Sequence, residues 1–106
     1  QHPLAEASVR LEAVRLMAWR AAVAFDGGAP PKEVSLHGNA AKLLAAELAA
    51  KALDAAFKTL GGKGFDERCG VVHLLEFVAL LQVAPISEAL ILNQVAESAL
   101  GLPRSY

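Results

Sequence analysis

The sequence predicts an all-α domain, an antiparallel four-helix bundle, and three observations lead to that prediction. Apolar residues recur at helical spacing through each long segment, short runs of Gly and Pro separate these segments, and no segment alternates as a strand does. Alanine and leucine carry most of a hydrophobic content of 55%, and both residues favour helix. A chain of 106 residues fits a single domain. Four helical segments with short connections are typical of an antiparallel bundle.

The first helix is predicted near residues 4–25, with Pro3 in its first turn, where a missing N–H costs nothing. Alternating three- and four-residue steps form a stripe that should face the bundle core. The stripe consists of Leu4, Ala7, Leu11, Val14, Ala18, Ala21 and Phe25. Further apolar residues lie off the stripe: Val9, Leu16, Met17, Trp19 and Val23. A helix that is apolar on several faces is usually buried on several faces, which predicts self-association as a dimer or tetramer.

Three more helices are predicted near residues 34–60, 69–82 and 87–100. Gly38 and Asn39 weaken the second segment, so its start lies between residues 32 and 40. The apolar stretch 71–83 could be a buried strand or a short buried helix, and its length and leucines favour helix. Ser87 is placed to N-cap the last helix, and Gly101 stands where a C-cap glycine belongs.

The second helix leads into an unusual glycine turn, Leu60-Gly61-Gly62-Lys63-Gly64-Phe65. Three glycines in four positions are costly unless the backbone needs positive φ or a partner must come close to bare backbone. Exposed N–H groups at such turns can form a concave nest that binds phosphate. A helix stop is the simpler interpretation, but a stop needs only one glycine. Both interpretations stay open at this point.

Charge and cysteine content narrow the function classes. A net charge of −1 with interspersed signs gives no electrostatic case for binding nucleic acid or an anionic membrane surface. No run of about 18 unbroken apolar residues occurs, so no membrane span is predicted. Cys69 is alone, which excludes an internal disulfide and fits a reducing cytoplasm. It has no base near it in the sequence, so a buried or inert thiol is expected.

No metal site is predicted, because His73 and Glu76 form one Glu/His pair where a di-metal bundle needs paired Glu-x-x-His motifs. The chain begins at Gln1 without a signal-like segment, and we expect it to be a fragment of a longer polypeptide. The residues alone therefore describe a single helical-bundle domain, 1–106, with no active site of its own and one unusual turn.

In their order and spacing, four segments resemble the C-terminal domain of the acyl-CoA dehydrogenase family. Residues 4–22 resemble that family's "LADM…LEAARLL.YRAA" helix, and Ala41-Lys42-Leu43-Leu44-Ala45-Ala46-Glu47 resembles its "AKLFASE". The glycine turn, residues 60–65, resembles its "FGGxGY". The ending Gly101-Leu102-Pro103-Arg104-Ser105-Tyr106 resembles one bacterial branch.

The resemblance implies an oxidoreductase of fatty acid metabolism that removes hydrogens from Cα and Cβ of an acyl-CoA thioester and passes a hydride to FAD. It implies a four-helix bundle at the centre of an oligomer, whose glycine turn reaches the FAD of a neighbouring subunit. Gly61, Gly62 and Gly64 would then lie against the adenosine–pyrophosphate half of FAD. Substrate would be bound through domains outside this fragment, which alone should be inactive, and an electron-transfer flavoprotein is one candidate electron acceptor.

Two departures from the family pattern bear on the site. The family often has Gln three residues before the first glycine, where this chain has Lys58. The family's "YEGTSEI", whose first Glu takes the α-proton, corresponds to residues 83–89, and the base position falls on Ala84 or Pro85. Neither side chain can accept a proton, so no catalytic residue is predicted here. Glu88 matches the later acid, a flavin-side contact in the family. The base would then lie upstream or on a partner subunit, or the chain is a non-catalytic subunit or an unrelated interaction module.

Overall fold

The computed structural model describes residues 1–104, and in that range the chain contains α-helices, 3-10 turns and no strand. The four α-helices are α1 (His2–Asp26), α2 (Pro31–Leu60), α3 (Leu74–Val83) and α4 (Glu88–Ser98). Two 3-10 turns, Gly61–Phe65 and Glu67–Cys69, connect α2 to α3. The predicted all-α class is confirmed. The last two residues of the ending compared above, 105 and 106, lie outside the described range.

The largest error in the predicted boundaries concerns α3, which begins at Leu74 and not at residue 69. Gly70 adopts a left-handed conformation with φ of 79°, and a right-handed helix cannot continue through it. At the other end, α4 stops at Ser98, and Gly101 follows in a positive-φ conformation. α2 starts at Pro31 and runs unbroken through Gly38, so the predicted weak point is helical.

The central element is α2, because α1, α3 and α4 each pack against it. Two of its four buried residues are alanines, which let the neighbouring helices approach closely. The buried apolar residues of the described chain are Ala41, Ala46, Leu48 and Leu53 of α2 and Ile91 of α4. The core therefore follows α2 along its length and does not lie at a point shared equally by four helices.

The predicted stripe of α1 is correct for only part of its residues. Ala7, Val14 and Ala21 are half-buried, as expected for a face on α2. Leu4 and Phe25, predicted to share that face, are 57% and 71% exposed. The reason is that one neighbour, α2, covers α1, and a single neighbour covers only a narrow face of a helix. Two apolar faces of α1 stay exposed.

The described chain has an open shape for its length. Its radius of gyration is 16.3 Å, whereas a compact domain of about 100 residues has roughly 13 Å. Large apolar side chains are exposed on all four helices, among them Trp19, Leu44, Phe77 and Leu92. These four helices alone do not bury the apolar surface that the composition supplies.

One segment, Leu74–Ser98, is long and apolar enough by length and composition to cross a membrane, with a mean hydropathy of 1.8 over its most apolar stretch. In the structure it consists of α3 and α4, separated by the non-helical residues 84–87. Each helix is about half the roughly 20 residues that a span needs. Backbone groups at a break would lack partners in lipid, so the segment is a weak indication of a span.

Ile91 provides a test of this packing, because its side chain is fully buried against α2 while the adjacent Leu92 is 48% exposed. We expect Ile91→Ala to lower the free energy of unfolding by about 2–5 kcal/mol, since it leaves a cavity. The matched control Leu92→Ala should change it by less than about 1 kcal/mol. Urea unfolding followed by circular dichroism measures both, and equal effects would contradict the placement of α4.

Candidate functional site

The glycine turn ends α2 and forms an exposed surface. Gly61 has φ of 55° and ψ of −138°, and its N–H donates to the Phe57 carbonyl. Residues 61–65 then form a 3-10 helix, so the turn is not an alternation of right- and left-handed residues of the kind that forms a nest. Gly61, Gly62 and Lys63 are all exposed. Bare backbone is therefore accessible to a partner on one side of the turn.

Two of the three glycines are required by the fold itself. Gly61 has a backbone conformation that L-residues rarely adopt, and this conformation ends α2. Gly64 is buried, and a Cβ built there would lie 2.7 Å from Cδ1 of Phe57. The Phe57 ring in turn packs on Phe65, with 4.7 Å between ring centroids. Gly64 is therefore needed to let the turn fold back onto this aromatic pair.

Gly62 differs from its neighbours, because nothing in the described chain requires a glycine there. It does not have positive φ, and a Cβ at this position would meet no atom within 4 Å. The glycines were expected where the backbone needs positive φ. Only Gly61 of the three has positive φ. A side chain at position 62 would cost the isolated fold nothing.

The charges around the turn are distributed unevenly. Lys63 is exposed between Gly62 and Gly64. Lys58, at the position where the family often has Gln, donates to Asp54 at 2.7 Å, in an exposed ion pair. Farther along, the Arg68 guanidinium bonds the Asp66 carboxylate at 2.6 Å and lowers the pKa of that carboxyl below its usual value. Lys63 is thus the cation best placed to meet an anion at the bare backbone.

The α3–α4 corner, residues 84–87, contains Ala84 and Pro85, on which the resemblance places the family's base. Ala84 and Pro85 carry no ionisable group, as the sequence shows. Ser87 is at the N-cap of α4, as predicted, but its side chain makes no capping hydrogen bond. Glu88, the first residue of α4, is exposed. The corner offers no carboxylate at the base position.

The structure keeps the glycine turn and the α3–α4 corner apart. Lys42 of α2 donates a hydrogen bond to the Ile86 carbonyl, which places the corner beside the middle of α2. The turn follows Leu60, eighteen residues farther along the same helix. At 1.5 Å per residue the two lie about 27 Å apart along the axis of α2. Within one chain they do not form a single compact site.

Other candidate residues contribute no further site in the described range. No group of three or more His, Cys, Asp or Glu side chains is arranged to hold a metal ion among residues 1–104. A buried or inert thiol was expected at Cys69; the residue is exposed, so the buried alternative is wrong. An open apolar groove of about 480 Å³ lies beside the Phe57–Phe65 pair, and Leu75 and Val78 of α3 line its other side. The sequence does not indicate this groove, because the groove depends on how α3 packs on α2.

Comparisons with known proteins agree on one family. The family model for the C-terminal domain of acyl-CoA dehydrogenases matches residues 1–100 of this chain. The chain is 39% identical over 105 residues to the acyl-CoA dehydrogenase FadE12 of Mycobacterium tuberculosis strain H37Rv, covering 99% of this chain and 27% of that protein. The protein of the same name from Mycobacterium bovis shows the same values.

A second relative is the cyclohex-1-ene-1-carbonyl-CoA dehydrogenase of Geobacter metallireducens, which is 31% identical over 83 residues. That match covers 78% of this chain and 21% of the relative. The chain therefore spans about a quarter of the length of the curated relatives it matches. No solved structure gives a significant match.

The three glycines should respond differently to the same substitution. Gly61→Ala should lower the free energy of unfolding by about 1–3 kcal/mol through backbone strain. Gly64→Ala should lower it by about 1–3 kcal/mol, because Phe57 must move. Gly62→Ala should leave it unchanged or raise it by up to about 1 kcal/mol. Urea unfolding measures all three, and a destabilising Gly62→Ala would mean that the fold, and not a partner, requires this glycine.

Proposed function

The chain belongs to the acyl-CoA dehydrogenase family, as its C-terminal domain, and from this premise we propose that it is part of a longer FAD-dependent enzyme that dehydrogenates an acyl-CoA thioester between Cα and Cβ. In this proposal the domain contributes to the FAD site of a neighbouring subunit and to oligomer assembly. FAD supplies the acceptor for a hydride. Acyl-CoA binding belongs to parts of the enzyme outside this chain, an electron-transfer flavoprotein is a candidate acceptor, and a cytoplasmic location stays a prediction.

The observation that carries the proposal is Gly62. The fold explains Gly61 and Gly64, but it places no demand on position 62. Gly62 is exposed and adjoins Lys63, an exposed cation. Bare backbone beside a cation suits close approach of a pyrophosphate, whose oxygens accept hydrogen bonds from N–H groups and attract positive charge. These residues fit the adenosine–pyrophosphate half of FAD.

The separation of the two candidate regions supports sharing of FAD between subunits. The glycine turn and the corner that begins α4 lie about 27 Å apart along α2. In one chain they would not contact the same part of one cofactor. In a pair of subunits, the turn of one chain could instead lie at the cofactor that Glu88 of the other chain contacts. Gly61, Gly62 and Glu88 are proposed contacts of this shared site, and Gly64, which is buried against Phe57, is proposed to contribute by holding the turn that carries the other two glycines.

The missing base separates two versions of the proposal. Ala84 and Pro85 cannot take the α-proton, and no other ionisable side chain lies among residues 84–87. An active enzyme must therefore take this proton with a group upstream of the chain or on a partner subunit. The alternative is a non-catalytic subunit that completes the FAD site of a partner, and the same absence of a carboxylate favours it. A carboxylate base in the upstream sequence would favour the active enzyme over the non-catalytic subunit.

Self-association is supported by the amount of exposed surface. The chain exposes 7476 Å², whereas a compact monomer of 11.1 kDa exposes about 5,700 Å². The excess of about 1,800 Å² is about twice the roughly 800 Å² that each partner contributes to a stable interface. Val9, Leu16 and Val23 repeat every seven residues on an exposed face of α1 and are each more than 60% exposed. We propose that this face packs against a second copy.

Gly62→Val in the complete enzyme tests the FAD contact. An added Cβ at position 62 meets no atom of the described chain within 4 Å, so we expect normal helix content. A branched side chain should instead obstruct the approach of the cofactor, and we expect the dissociation constant for FAD to rise at least about tenfold, corresponding to roughly 1.4 kcal/mol, so that FAD occupancy falls. The flavin-to-protein absorbance ratio measures it, with Gly38→Val in α2 as the control, because Gly38 is remote from the turn, lacks positive φ and, like Gly62, has no atom within 4 Å of an added Cβ.

Turnover with excess FAD completes that test. If added FAD restores turnover of Gly62→Val, the defect lies in cofactor binding, as proposed. If occupancy is unchanged, the turn only ends a helix, and the proposed contact is wrong.

Leu16→Glu tests the proposed self-association of the α1 face. Glu and Leu have similar helix propensity, so the helix should persist, while a charge in an apolar interface is costly to bury. We expect the dissociation constant between copies to rise at least about tenfold. Ser8→Glu, which adds the same charge at a polar position of α1, is the control. Sedimentation velocity measures both, and a wild-type protein that stays monomeric at high concentration would contradict the proposal.

A further inference from the structure

The contacts of α3 and α4 with α2 include a row of hydrogen bonds along one face of α2. Its members on α2 are Ser35, Asn39, Lys42 and Ala46, spaced by four, three and four residues. Such spacing keeps side chains on one face of a helix. Near the start of α2, Gln94 of α4 accepts from Asn39 at 2.6 Å and donates to the Ser35 hydroxyl at 3.0 Å. Farther along, Gln82 of α3 donates to the Ala46 carbonyl at 2.9 Å.

Between these two attachments, Lys42 holds the corner itself. Its Nζ donates to the Ile86 carbonyl at 2.7 Å, across 44 residues of sequence. No carboxylate lies within ion-pair distance of Lys42 in the part of the chain that the structure describes. Lys42 is half-buried, so its charge is directed at the corner and is not simply solvated. A charged donor makes a stronger hydrogen bond than a neutral one.

The corner needs such a partner, because its backbone is not helical. Residues 84–87 lie between the last turn of α3 and the first turn of α4, and among residues 1–104 the Ile86 carbonyl accepts no backbone hydrogen bond. A partly buried carbonyl without a partner is costly. The Lys42 ammonium supplies this carbonyl with the partner that the backbone does not give it.

We propose that Lys42 is a positioning residue of the enzyme, which sets the place of the corner and, through it, of Glu88 at the start of α4. Ile86 is two residues before Glu88 in sequence. This inference rests on the proposed function, in which Glu88 contacts the flavin. The helices themselves stay attached without Lys42, since Gln82, Gln94 and the buried Ile91 hold them on α2. Loss of the ammonium should therefore release the corner and leave α3 and α4 in place.

Hydrogen–deuterium exchange of the complete polypeptide tests the contact directly and needs no activity. Lys42→Met keeps the length of the side chain and removes the ammonium, and we expect amides of residues 84–90 to exchange at least about tenfold faster. Peptides of α1 should be unchanged. Lys42→Arg, which retains a charged donor, should restore slow exchange. Lys51→Met, an exposed lysine on α2, is the control and should behave as wild type. Unchanged exchange at the corner in Lys42→Met would overturn the proposal.

The flavin provides the functional measurement. We expect Lys42→Met to retain FAD and to shift the visible flavin spectrum. We also expect kcat to fall at least about tenfold with little change in KM, since a misplacement of about 1 Å can lower the rate up to about 100-fold. Faster exchange with an unaltered spectrum and kcat would limit Lys42 to a structural role and overturn the proposal. A wild-type protein that binds no FAD would instead refute the proposed function, and the role of Lys42 would fall with it.

Discussion

The packing of every other helix against α2 is the constraint on which the rest of the structure depends. The buried residues of α2 include Ala41 and Ala46, whose short side chains allow α3 and α4 to come close. Close approach in turn brings the Gln82 amide to the Ala46 carbonyl and the Lys42 ammonium to the Ile86 carbonyl. Larger residues at these two positions would separate the helices and remove both hydrogen bonds. The position of the α3–α4 corner thus depends on the short side chains in the middle of α2.

Organisation around one helix also explains the open shape. α1 lies on α2 through one face, and its other faces remain apolar and exposed. Some of the charged residues on α1 pair within the helix, as Arg10 does with Glu6 and Arg15 with Glu12. A helix with this composition is normally enclosed on several sides. These exposed apolar faces support the proposed self-association.

The glycine turn combines two structural requirements with one proposed ligand contact. Gly61 ends α2 through an unusual backbone conformation, and Gly64 gives space to the Phe57 ring. Both would be glycine in a protein that binds nothing. Gly62 has neither reason, and its exposure next to Lys63 is the basis of the proposed FAD contact. The motif as a whole could not distinguish these roles, because the three residues are chemically identical and only their surroundings differ.

The sequence by itself determined the helical class, the approximate limits of each helix, the family and the absence of a base at Ala84 and Pro85. These features depend on local periodicity, on Gly and Pro breaks and on residue identity, all of which are readable along the chain. Only the tertiary structure decided which face of α1 is covered, that Gly70 delays the start of α3, and that Lys42 meets Ile86 across 44 residues. The physical reason is that burial and long-range contacts depend on which helices become neighbours, and a periodic pattern on one helix does not specify its neighbour.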